Sequence, residues 1–263
     1  MGNSATFKCP YIDAGVFVYP LSHTTANRMV LTSLKLGFNG CIIREPWSRN
    51  THHSPSPSSL LSVSSSSLSL SSFLASMQQV KRFFVIHGKV YSALTQKELI
   101  RAMQTKESTL QQFPTLHIVE AGDTAYNRWV LTTPGVSILS RMHAAPRHAF
   151  DHVCAKSAAE HGTCVDINLA ALIPKGPPRQ KALRQYENMV TLARKYEFGL
   201  TISSGAKGYL GICTPREIQA ICGLFGMDED MVAHALSAPF HLLNPHQPVR
   251  HVICECDDSE GEE

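Results

Sequence analysis

No two of the eight cysteines, at positions 9, 41, 154, 164, 213, 222, 254 and 256, have the CxxC spacing of a zinc knuckle or a redox pair. Cys254 and Cys256 are two apart, which suits alternate members of a strand. Cys41 before Ile42-Ile43 and Cys222 before Gly223-Leu224 sit in apolar surroundings, as small buried hydrophobes do. This usage reads as reduced thiols, and a cytoplasmic location is expected. Neither GxGxxG nor GxxxxGKS/T occurs, which removes the usual reasons to expect a nucleotide-binding sheet. The G-x-S-x-G elbow is missing as well, so Ser203 and Ser204 lack the setting of a hydrolase nucleophile. RRM-type aromatics, zinc-finger spacing and a helix-turn-helix pattern are all absent. No signal peptide is apparent. Leu60 to Met77 mixes Leu, Val and Phe with many serines and is too polar to read as a spanning helix, so no membrane contact is expected.

What is present is enough chain for one sizeable core: 263 residues, of which 43% are hydrophobic and 17% charged. The formal charge of +3 understates the basic character. Six of the 21 acidic residues (Glu255, Asp257, Asp258, Glu260, Glu262 and Glu263) lie in the last nine positions. Without them, 24 basic stand against 15 acidic side chains over residues 1–254, a balance of +9. A basic body carrying an acidic tail favours a polyanionic partner, although a mildly basic enzyme has the same arithmetic.

Strand-like and helix-like segments alternate. Strands are expected at Tyr11–Val18, Cys41–Arg44, Arg82–His87, Leu116–Glu120, Ser137–Arg141, Val165–Leu169 and Leu200–Ser203. Helices are expected at Thr24–Leu36, Thr95–Gln104, after an Asp123 cap, at Arg147–Glu160, Arg179–Tyr196, Pro215–Phe225 and Asp228–Leu236. Sustained alternation argues for parallel strands and an α/β class. Seven strands favour a closed or nearly closed barrel, while pattern alone is also compatible with a doubly wound sheet. Residues 46–79 turn Ser- and Pro-rich (Ser54-Pro55-Ser56-Pro57, Ser64-Ser65-Ser66-Ser67), a composition expected to form a disordered insertion. A single barrel domain is therefore expected over 1–245, with 246–263 as an extension ending in the acidic tail.

In such a barrel, function sits at the C-terminal strand ends. Those ends offer Asp13, Arg44 and Glu45, His87, Glu120, Arg141 and His143, Asp166 and Asn168, then Ser203 and Ser204. Barrel metallohydrolases place an HxH pair on the first strand, and Asp13-Ala14-Gly15-Val16-Phe17-Val18 contains no histidine. A metal-dependent phosphoesterase, working through His87, His143 and Asp166, remains the alternative reading. The run from Lys175 to Lys195 carries six basic residues against the single acidic Glu187. Its loop Pro174-Lys175-Gly176-Pro177-Pro178-Arg179 follows a strand, where cations can neutralise phosphates without reading sequence. The turn Ser203 to Ala206 is one where another backbone or a phosphate comes close, and Lys207 directly follows it.

Leu200-Thr201-Ile202-Ser203-Ser204-Gly205-Ala206, Thr214-Pro215-Arg216-Glu217-Ile218, Gly223-Leu224-Phe225-Gly226-Met227 and Ala235-Leu236-Ser237 resemble, in order and gaps, the ribonuclease P protein component 3 family. Tyr11-Ile12-Asp13, Leu36-Gly37-Phe38 and Arg184-Gln185-Tyr186 add weaker likeness. The resemblance implies a TIM-barrel-like (β/α) fold related to metal-dependent phosphoesterase barrels but without their metal ligands. It implies partnership with ribonuclease P RNA, with the small component 2 as two copies of each, with other ribonuclease P proteins, and with precursor tRNA as substrate. The RNA would hold magnesium ions and hydrolyse the phosphodiester, so neither a catalytic residue nor a bound cofactor is expected here. A scaffold touching only proteins is a third reading. By strand-end position and charge, the RNA-facing candidates are Arg44, His87, Lys175, Arg179, Arg184 and Lys207.

Overall fold

The structure is a computed structural model that describes residues 10–17, 23–47, 83–105 and 114–243. In chain order its elements are β1 (Ile12–Phe17), α1 (His23–Lys35), β2 (Gly40–Pro46), β3 (Phe84–Tyr91), α2 (Gln96–Gln104), β4 (Thr115–Glu120) and α3 (Thr124–Leu131). Then follow β5 (Val136–Ser140), α4 (His152–His161), β6 (Cys164–Asn168), α5 (Pro177–Tyr196), β7 (Leu200–Ser203), α6 (Pro215–Gly223) and α7 (Glu229–Leu242). The helices begin where their sequences supply acceptors for unpaired N–H groups. Asp123, Asp151 and Asp228 accept from the first turns of α3, α4 and α7, while Thr95–Glu98 and Thr214–Glu217 form capping boxes.

The seven strands form one parallel sheet in sequence order, β1 through β7, as expected of the nearly closed alternative rather than the doubly wound one. β1 and β7 meet through the isolated parallel bridge Val16–Ala206 and a hydrogen bond from Gly205 N to Gly15 O, 3.1 Å. The Asp13 carboxylate reinforces this seam by accepting from Ser204 N and Gly15 N, each at 3.0 Å. α7 packs on both β7 and β1. Its last turn runs beneath the strands, where Phe240 meets Phe84 edge-on at 5.1 Å, and so covers the N-terminal end of the barrel.

Alternation along the strands sorts side chains into two cores. Ile12, Ala14, Ile42, Ile86, Ile118 and Ile138 belong to an inner cluster, whereas Cys41, Ile43, Val85, Val119, Leu139 and Ile167 pack outward against the helices. Above the inner aliphatic layer the interior becomes polar, with Arg44, Asp166, Thr201 and Ser203 all buried. Gly15 makes room for this layer, because a Cβ there would lie 2.5 Å from Arg44 Nε.

Several boundaries differ from the sequence reading. β3 continues through Gly88-Lys89-Val90-Tyr91 instead of ending at His87, since these residues pair with β2 on one side and β4 on the other; Lys89 also donates to Thr105 O at 3.0 Å and Thr105 Oγ1 at 3.2 Å beyond α2. α4 starts only after Asp151, whose side chain takes the first amides. α7 runs on to Leu242 despite Pro239. The Ser-rich insertion is expected from residue 46, yet Pro46 ends β2 and Trp47 packs on Tyr91 with ring centroids 6.2 Å apart. The remainder of that insertion, the acidic tail, Cys9, Cys254 and Cys256 lie outside the described residues. Of the described cysteines, Cys41, Cys154, Cys164 and Cys222 are buried and Cys213 is half-buried, all as free thiols.

Candidate nucleic-acid interface

A cavity of about 770 Å³ opens beside the C-terminal ends of β4 to β7. β5 ends at Ser140, and Arg141 then takes a left-handed backbone (φ 59°, ψ 29°), which costs a side-chain-bearing residue roughly 1 kcal/mol. This turn carries the Arg141 guanidinium back over β4, where Nη1 donates to Glu120 Oε1 at 3.0 Å. His143, in the following 3₁₀ turn, meets the Tyr186 hydroxyl of α5 through Nδ1 at 3.3 Å. That hydroxyl in turn donates to Asn168 O at the end of β6, 2.8 Å. Burial, seconded by the Arg141 charge, lowers the His143 pKa below its ordinary value, so the ring is neutral at pH 7. Lys181 donates to Ala144 O at 3.1 Å, and Lys207 stands exposed after β7; both line the cavity.

Of the six sequence candidates, four are exposed or partly exposed and two are buried. Lys175, Arg184 and Lys207 are exposed, and Arg179 is partly so. Arg179 also holds the loop before α5, donating from Nε to Pro174 O (3.0 Å) and from Nη2 to Ile173 O (2.8 Å). Arg44 is a correction. It is 1% exposed inside the barrel, with Nη2 2.8 Å from Asp166 Oδ2 and Nε 2.8 Å from Ala14 O, so its charge faces a carboxylate rather than a phosphate. His87 is the other correction: it points outward from the middle of β3, also 1% exposed, bound to Glu45 Oε2 at 2.9 Å and Thr115 Oγ1 at 3.3 Å. The turn before Lys207 meets the first of the two partners expected of it: its amides at Ser204, Gly205 and Ala206 are bonded to Asp13, Gly15 O and Ser204 Oγ, so the approaching partner is the β1 backbone and not a phosphate.

The metallohydrolase ring does not assemble either. His87 lies on the outer face, His143 at the rim, and Asp166 inside, where it accepts from Arg44, Thr201 and Ser203. Among the described residues, no group of three or more His, Cys, Asp and Glu side chains is placed to hold a metal ion. Arg141 belongs to the strand-end ring read from sequence but is not among the RNA-facing candidates, and Lys181 is only one member of the basic run. The signal for Lys181 is the pair Pro177-Pro178: a helix starting there, rather than at Arg179, sets Lys181 just inside its entrance, lining the cavity.

The sequence profile of the family described as RNase P subunit p30 matches residues 10–247. Ribonuclease P protein component 3 of Methanococcoides burtonii is 31% identical over 139 residues, 52% of this chain and 58% of that one. The same component of Methanosarcina barkeri is 32% identical over 133 residues, 50% of this chain and 56% of that one. The chain thus spans little more than half the length of these curated relatives. Against the component 3 of Methanothermobacter thermautotrophicus, identity is 23% over 227 residues and 84% of each chain. A chain in a cryo-EM structure of archaeal Ribonuclease P with mature tRNA superposes with a TM-score of 0.64 at 17% identity, covering 96% of this chain and 99% of that one. That likeness is one of fold. The profile match over residues 10–247 concludes the assignment: the chain belongs to the RNase P subunit p30 family.

Proposed function

We propose that this chain is a protein subunit of ribonuclease P that supports a catalytic RNA in removing the 5′ leader from precursor tRNA. Family membership over residues 10–247 suggests the assembly, since its relatives are named as components of that enzyme. The observation that carries the molecular role is the sorting of charge. Arg141, Lys181 and Lys207 line an open cavity, while Arg44 and Asp166 neutralise each other inside. Such a surface binds phosphates through salt-dependent contacts.

On this reading the isolated chain is non-catalytic, and the magnesium ions that hydrolyse the phosphodiester are held by the RNA. The protein lowers the magnesium requirement by offsetting phosphate repulsion, in company with component 2 as two copies of each and with other ribonuclease P proteins. The compartment proposed is the cytoplasm. No helix among the described residues is long and apolar enough to cross a membrane.

The test is precursor-tRNA cleavage at low magnesium by the cognate RNA and component 2, with and without this chain. Stimulation by a chain that cleaves nothing alone is the expected result. Cleavage by the chain without RNA, or no stimulation, would overturn the reading.

A further inference from the structure

The cavity beside β4 to β7 is a half-open recess, whereas helical RNA presents a convex row of phosphates better met by exposed side chains such as Lys175 and Arg184. We propose that this cavity is a binding pocket for one nucleoside monophosphate unit, taken either as an unpaired nucleotide of RNA or as a free nucleotide. The RNA source rests on the subunit reading above; the free-nucleotide source does not.

Size comes first: about 770 Å³ falls within the span of roughly 300–1,000 Å³ typical of small-molecule sites. Charge comes second. Arg141 is offset by Glu120, which leaves the ammonium groups of Lys181 and Lys207 in excess. Lys181 uses one N–H on Ala144 O, and Lys207 has no hydrogen-bond or ion-pair partner among the described residues. Two ammonium groups match a phosphate, which carries close to two negative charges as a free or terminal monoester and one as an internal diester of RNA.

Hydrogen-bonding capacity comes third. The Tyr186 hydroxyl has a single proton, which it donates to Asn168 O, so the 3.3 Å contact with His143 makes Nδ1 the donor. The neutral ring therefore keeps Nε2 as an acceptor, with no protein partner among the described residues. Asn168 accepts from Ala170 N through Oδ1 at 3.0 Å, which fixes the amide and leaves its NH₂ without a protein partner among the described residues. Gly205 is required beside it, because a Cβ there would lie 2.2 Å from Asn168 Oδ1. A donor and an acceptor lining one cavity suit ribose hydroxyls or a base edge.

The walls come last. Ala170, Ala171, Pro174, Pro177 and Pro178 present apolar faces to a sugar or base ring. Their loop is held by Arg179 through the carbonyls of Ile173 and Pro174, so the pocket is organised before a ligand arrives.

The experiment is calorimetric titration of the full chain with adenosine monophosphate, adenosine and inorganic phosphate at low salt. It is repeated with Lys181→Gln and Lys207→Gln, each verified as folded by circular dichroism. The monophosphate should bind more tightly than adenosine or phosphate, and either substitution should weaken it by about tenfold. A short single-stranded RNA that displaces the monophosphate assigns the RNA source, and one that does not assigns the free nucleotide. No binding of the monophosphate, or binding untouched by both substitutions, would overturn the pocket. If low-magnesium cleavage is still stimulated by the same preparation, only the pocket fails; if the monophosphate binds and stimulation is absent, the subunit reading fails instead.

Discussion

Arg44 on β2 and Asp166 on β6 form an ion pair of 2.8 Å across the barrel interior, between strands that share no hydrogen bonds. Thr201 and Ser203 complete the carboxylate's shell at 3.2 and 2.9 Å, and Ala14 O takes the Arg44 Nε–H. Removing one partner of such a pair strands a buried charge. Arg44→Ala should therefore lower unfolding free energy by roughly 3–5 kcal/mol, and replacing both residues with aliphatics of similar volume should recover much of it. Urea titration checks both. A loss below about 1 kcal/mol for Arg44→Ala would contradict the pair's structural role.

Asp13 at the β1–β7 seam predicts a pH dependence. Burial raises its pKa from 3.8, against the lowering effect of Ser204, Gly15 N–H and the Arg44 charge. A carboxyl with a raised folded pKa binds its proton more tightly when folded. Its contribution is thus fully present below about pH 3.8 and is lost as pH rises through the folded value. Asp13→Asn should flatten that part of the stability curve, measured by urea midpoints between about pH 4 and 8. An unchanged slope would show that Asp13 does not titrate this way.

Asp151 works in the opposite sense. Burial opposes ionisation there, but hydrogen bonds from Arg128 and Cys154 N outweigh it and bring the pKa down to about 2. Its capping contribution to α4 is present above the ordinary value of 3.8 and fades as pH falls towards 2. Asp151→Ala should cost about 1 kcal/mol near neutral pH and progressively less in acid. A thermal-melt series reads this directly.

Arg141→Gly separates fold from interface. Glycine tolerates the left-handed backbone, so the relief of strain should offset removal of the ion pair with Glu120 and leave stability within about 1 kcal/mol. RNA affinity should nevertheless fall. Equal affinity would remove Arg141 from the interface.

Lys175→Glu and Lys207→Glu should each weaken RNA binding across all sequences. Each should also flatten the dependence of log K on log salt by roughly 0.7–0.9 for every phosphate that is no longer neutralised. Filter binding at several salt concentrations measures the slope. A slope equal to the parent's would exclude that lysine from phosphate binding.

The alternation of elements is legible in the residues alone, because strand apolarity, helix caps at Asp123, Thr214 and Asp228, and helix periodicity are local properties. So is the position of Lys175 and Lys207 on loops after strands, where a charge remains solvated. The fate of Arg44 is not local: its burial depends on a carboxylate 122 residues away, and a strand end reads the same whether its side chain meets solvent or a partner. His87 turns on whether β3 stops or continues past Gly88, which its pairing with β2 and β4 decides. Only the folded chain selects which side chains close the barrel and which surround the cavity. Those choices arise from curling seven strands until the first meets the last, a geometry that no segment carries within itself.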